Sequence, residues 1–145
     1  MKKIMIINGV NLNMLGIREK AVYGAMDYNG LTNYICEKCN DMAVELSFFQ
    51  SNCEGELVSC LHNCYFQNYD GAVINPGAYT HYSYALYDAI KSIAPIPVVE
   101  IHISDIHSRE EFRRISVTAP ACIAQISGKG YDGYVEAVKL LADRA

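Results

Sequence analysis

Five short apolar runs, each followed by a turn or a helical pattern, constrain this chain more than any other feature. Lys3–Ile7, Val44–Gln50, Gly71–Ile74, Pro97–Ile103 and Pro120–Ser127 read as strands. They carry apolar residues on both faces rather than in alternation, which marks strands of a parallel sheet covered on both sides. Between them lie helical spacings. Leu31, Tyr34, Ile35, Cys39 and Met42 predict a helix over about Asn29–Met42, and Leu57, Val58, Leu61, Cys64 and Tyr65 one from Glu54–Gly55 to before Tyr69. A third helix is expected over His81–Ile93, stopped by Pro95 and Pro97. A last one presents Tyr134, Val135, Val138, Leu141 and Ala142 inward after the Gly128–Gly130 turn.

The order β-α-β-α-β-α-β-β-α, with right-handed crossovers, leads to an α/β fold. The expected form is a flavodoxin-like, doubly wound, five-stranded parallel sheet of order 2-1-3-4-5 within three α/β/α layers. At 145 residues a single domain over 1–145 is expected, since this length buries a sizeable core. Hydrophobic content of 51% and charged content of 19% agree with a folded chain. A net charge of −4, with no basic stripe, argues against a nucleic-acid or anionic-membrane partner. The run Ile4–Ile7 is too short for a secretion signal and nothing approaches a membrane span, so a cytoplasmic protein is expected. The six cysteines then read as reduced, packed thiols. Cys36-x-x-Cys39 falls inside a helical pattern rather than at the strand–helix junction that activates a redox pair.

In such sheets ligands bind beyond the C-terminal strand ends. Three loops open on that edge. The first, NGVNLNMLGIREKAVYG (Asn8–Gly24), is long, with no clean period, as lids and binding loops commonly are. It holds Arg18 five residues before Tyr23; a guanidinium beside a phenol favours the phenolate and so makes a base of it. The second, INPGAYTH (Ile74–His81), is a turn leading into a helix. It offers Asn75, His81 and free amides for hydroxyl or anionic groups, with Asp88 two helical turns beyond His81. The third, VEIHISDIHSREEFR (Val99–Arg113), puts Glu100 and His102 on one side of the sheet. A carboxylate there can orient an imidazole and raise its pKa, which suits a general acid. Ser104 follows. Arg109 and Arg113 stand at i, i+4 on an expected helical turn, Ser108–Phe112 capped by Ser108, and could clamp a polyhydroxy carboxylate.

These segments, with FFQSNCEGELV and the closing GYVEAVKLLA, make the chain similar to the type II 3-dehydroquinate dehydratases over nearly its whole length. The resemblance implies a flavodoxin-like subunit, a homododecamer of four trimers, and no metal or organic cofactor. It implies conversion of the small molecule 3-dehydroquinate to 3-dehydroshikimate plus water. Carried over by position, Tyr23 resembles the base that takes the proton beside the ketone, and Arg18 the cation that keeps it ionised. Asn11 resembles the residue holding a water on the enolate oxygen. His102 resembles the acid that protonates the departing hydroxyl, with Glu100 behind it. Asn75, His81, Arg113 and the backbone at Ile103–Ser104 resemble the substrate clamp, Asp88 a residue reaching a neighbouring subunit's site, and Arg109 an electrostatic neighbour. The chain departs from the family pattern at Val10 and Lys20, where prolines are usual, and at Tyr82, Tyr87 and Asp105. Two missing prolines leave the first loop more conformational freedom to lose on ordering.

Two other readings share the topology. A module binding FMN or a small anion without chemistry needs a Ser/Thr/Gly-rich phosphate cradle after the first strand, and Asn8–Gly24 lacks one. A signalling receiver needs an acidic cluster near strand one and an aspartate ending strand three, where the chain has Asn8 and Asn75.

Overall fold

A computed structural model describes residues 1–17 and 26–145. Its centre is a parallel sheet of β1 (Lys2–Asn8), β2 (Val44–Gln50), β3 (Gly71–Asn75), β4 (Val98–His102) and β5 (Ala124–Ser127), in the order β2-β1-β3-β4-β5. The neighbouring strands pair in parallel, with Asn8 opposite Asn75 and Glu100 opposite Gln125. The expected sheet is the observed one.

Side chains two apart along a strand enter the same layer. Ile4 and Ile6 of β1, Val73 of β3, Val99 and Ile101 of β4 and Ile126 of β5 face one core. Helices α1 (Tyr28–Lys38) and α4 (Asp132–Ala142) close it with Leu31, Ile35, Tyr134, Val138 and Leu141. Ile7, Ala72, Ile74 and Val98 face the other core, beneath α2 (Glu54–Phe66) and α3 (Tyr84–Ser92). Apolar burial on both faces is why the strands show no alternation in sequence.

The β4–β5 connection carries no α-helix. It runs through three short 3-10 turns, Ile106–Ser108, Glu111–Arg114 and Ala119–Ala121. The second face of the sheet is therefore roofed at its β4 end by irregular chain, and this sets the chemistry there.

Several boundaries differ from expectation. Helix α1 ends at Lys38, because Asn40 and Asp41 turn the chain into β2. The helix expected over His81–Ile93 is two pieces. Gly77–His81 is a 3-10 turn, and α3 starts afresh at Tyr84, where Ser83 accepts the Leu86 N–H at 3.0 Å. His81 and Asp88 therefore do not share a helical face. The single turn expected over Ser108–Phe112 is two 3-10 turns, Ile106–Ser108, where Asp105 accepts the His107 N–H at 3.0 Å, and Glu111–Arg114. Arg109 lies in extended backbone between them, so it shares no helical turn with Arg113. Strand β5 begins at Ala124, because Pro120 sits in the first turn of the preceding 3-10 segment.

Candidate active site

The loops after β1 and β3 meet backbone to backbone at the C-terminal edge of the sheet. A Cβ on Gly9 would lie 2.5 Å from the Pro76 carbonyl oxygen, and one on Gly77 would lie 2.6 Å from that of Val10. Gly77 also has φ of +63°, a region that side chains disfavour. Asn11, at φ of 70°, uses the left-handed tolerance of asparagine to turn the first loop into Leu12–Met14. Its N–H is held by Asn52 Oδ1 at 2.9 Å.

These loops and the one after β4 enclose a cleft. Asn11, Asn75, His81, His102, Ile103, Ser104, Arg109 and Arg113 all line it, so eight of the twelve expected positions converge. Glu100 lies directly behind His102. Asp88 is exposed on α3 and does not reach this cleft. Arg18 and Tyr23, expected to complete it, lie outside the described residues.

At the back of the cleft, His102 Nε2 and Glu100 Oε2 form a 2.8 Å hydrogen bond, both side chains buried. That bond commits Nε2 and turns the ring's Nδ1 into the nitrogen open to a ligand. The Glu100 carboxylate collects further donors. Ser116 and Gln125 reach Oε2, each at 2.8 Å, and the Thr118 hydroxyl bonds Oε1. Burial pushes this carboxyl up, but His102, Thr118 and Gln125 outweigh it and hold its pKa at about 2. The group is a fixed anion.

His81 Nδ1 donates to the Ile115 carbonyl at 2.7 Å. Burial lowers its pKa, and the charges of His102 and Arg113 add to that effect against the carbonyl bond. A neutral His81 presents Nε2 as an acceptor, suited to a hydroxyl group. Arg113 is oriented by Glu110, its Nε 2.5 Å from Oε2, and Arg109 Nη1 reaches Ser104 Oγ at 3.4 Å.

Asn75 joins a buried chain of side chains. Its Nδ2 donates to Tyr134 OH at 2.9 Å, and that hydroxyl donates to Asn8 Oδ1 at 2.6 Å. Its Oδ1 accepts the Gly77 N–H at 3.1 Å. These bonds fix the orientation of the Asn75 amide at the cleft wall.

The chain matches the family model for class II dehydroquinases over residues 2–142. It belongs to the class II dehydroquinase family. Among dehydroquinase relatives, a Clostridium perfringens protein named 3-dehydroquinate dehydratase is 58% identical over 142 residues, covering 98% of each chain. The type II dehydroquinase of Butyrivibrio crossotus superposes with a TM-score of 0.95 at 51% identity over 97% of both chains. That of Propionibacterium acnes does so with 0.94 at 33% identity, covering 99% of this chain and 98% of its own.

Ser116, Thr118, Gln125, Tyr134 and Asn8 were missed by the sequence reading as parts of this dehydroquinase site. Gln125 alone carried a signal, an amide in an apolar strand. The hydroxyls of 116 and 118 sit in a segment without periodicity. Of the Cys36-x-x-Cys39 pair, Cys36 is exposed and Cys39 is buried, and that burial pushes the Cys39 thiol up to about 11.

Proposed function

We propose that this chain eliminates water from 3-dehydroquinate, in the anti sense, to give 3-dehydroshikimate through an enolate. The observation that carries the reading is the His102–Glu100 pair, a buried imidazole held on an ionised carboxylate at 2.8 Å, facing a cleft rich in donors. Tyr23, ionised by Arg18, removes the proton beside the ketone. Negative charge then collects on the carbonyl oxygen, the costly part of the step, and Asn11 with a held water offsets it. His102 gives up its Nδ1 proton to the C1 hydroxyl, which leaves as water. Nε2 keeps its own proton bonded to the Glu100 carboxylate.

The substrate carboxylate and ring hydroxyls are held by Asn75, His81, Arg113 and the backbone N–H groups at Ile103 and Ser104. Arg109 supplies positive potential beside them. The base comes from the loop after β1 and the acid from the end of β4, which suits removal of the two groups from opposite faces. The expected closing of the first loop over the substrate makes loop motion a candidate rate limit.

Asp88, exposed and remote from its own cleft, is assigned to the site of a neighbouring copy within a homododecamer of four trimers. One domain and a cytoplasmic location complete the reading; among the described residues no helix is long and apolar enough to cross a membrane.

The test is turnover of 3-dehydroquinate followed by the enone absorbance of the product, with a sizing column run beside it. Tyr23→Phe and Arg18→Ala should abolish turnover while leaving the melting temperature near wild type. Near-full activity in Tyr23→Phe would rule out the assigned base.

A further inference from the structure

Glu100 Oε2 serves three donors at once: His102 Nε2, Ser116 Oγ and Gln125 Nε2, each at 2.8 Å. The first two come from the strand that bears the acid and from the roof over it. The third comes from β5, where Gln125 stands directly opposite Glu100 in the strand register and on the same face of the sheet. Its neighbours in that strand, Ala124 and Ile126, pack into the core on the opposite face. No substrate contact explains the amide, because Gln125 is absent from the cleft lining.

A carboxylate oxygen that accepts several N–H and O–H groups divides its charge among them. Each added donor leaves less negative potential for the imidazolium of His102. A general acid works best when its proton is held neither too tightly nor too loosely at working pH. We propose that Gln125 is a positioning residue for the elimination: its N–H shares Glu100 Oε2 with His102 and so keeps the acid's Nδ1 proton releasable.

The inference rests on the activity proposed above. Other charges facing His102 and Glu100 come from each element around them. They are His81 from the turn after β3, Arg109 and Arg113 from the β4–β5 connection, and the Cys122 thiol before β5. Gln125 is distinguished from these by bonding the same oxygen as the acid.

The variants are Gln125→Leu, which keeps bulk and removes the donor, and the isosteric Gln125→Glu, which places a second carboxyl against Oε2. In each, the titration of the His102 ring is followed by NMR in substrate-free protein. Steady-state turnover of the dehydroquinate substrate is measured across pH in the same variants, with kcat and KM resolved separately. In Gln125→Leu the ring should lose its proton at higher pH than in wild type, since one competing donor to Glu100 Oε2 is gone. The basic limb of kcat/KM should move with it, and kcat should fall roughly three- to tenfold with KM little changed. Gln125→Glu should move the ring further in the same direction. A His102 titration unchanged in both variants, with only the melting temperature lowered, would overturn the proposal and leave Gln125 a packing residue. If wild type fails to turn over the substrate while the ring titration still moves, the coupling through Glu100 stands and the assigned activity falls.

Discussion

His102 Nε2 sits 2.8 Å from Glu100 Oε2, and the carboxylate is wholly shielded from solvent at 0% exposure. A buried anion is thus the counter-charge that faces the imidazole. In Glu100→Gln that counter-charge disappears, so the basic limb of kcat/KM should move to lower pH. The direction is opposite to that expected for Gln125→Leu. Turnover at neutral pH should drop by roughly 100-fold, the lower end of what general acid catalysis contributes, because His102 itself remains. Profiles of rate against pH for both variants check the pair of signs together.

The same carboxylate makes stability depend on acid. Its folded pKa of about 2 lies below the ordinary 4.5, so the unfolded chain takes up a proton first. The stabilisation is present above the ordinary value and is lost as pH falls from there toward the folded one. Its ceiling is about 3 kcal/mol by linkage. Urea unfolding at about pH 6 and about pH 3 should show this loss in wild type, and Glu100→Gln should flatten it. An equal fall in both proteins would place the acid sensitivity elsewhere.

Tyr134 is fully buried and its hydroxyl joins Asn75 to Asn8. Tyr134→Phe leaves an N–H and a carbonyl oxygen without their partner inside the core, at a cost of about 1–3 kcal/mol. Asn75 also loses the bond that sets its amide, so KM should rise more than kcat falls. Denaturant melts and steady-state kinetics on one preparation separate the two effects.

His81 ties the turn after β3 to the roof at Ile115 through Nδ1. His81→Ala removes both this tie and the acceptor offered to a substrate hydroxyl. KM should increase about tenfold or more, the value of a lost hydrogen bond in a desolvated site. His81→Asn keeps a short donor, and partial recovery of KM there would assign part of the loss to the tie with Ile115.

The sheet was legible because each strand is apolar on both faces, and right-handed crossovers leave few orders for five such strands. The three loops followed from that order, since they leave the C-terminal ends of β1, β3 and β4. Glu100 and His102 were readable as a pair because strand spacing is two. Their supporting donors were not readable. Ser116, Thr118 and Gln125 meet Glu100 only because the β4–β5 connection folds back as 3-10 turns and β5 pairs in one register, both tertiary outcomes. The break in the third helix was missed for a local reason. Ser83 reads as one more residue of a helical run until its side chain caps Leu86, and continuing the period through it put His81 in the wrong element. Similarly, Ser108 reads as a cap before Arg109, but the chain turns earlier, at Asp105, and Ser108 ends that turn rather than starting the next.

Gly9 and Gly77 leave no gap between the two strand ends they follow. Evolution therefore cannot reshape one of these loops while leaving its neighbour alone: a bulkier residue on either side would pry the floor of the cleft apart. Anyone grafting a new specificity onto this scaffold has to transplant the turns after β1 and β3 as a matched set.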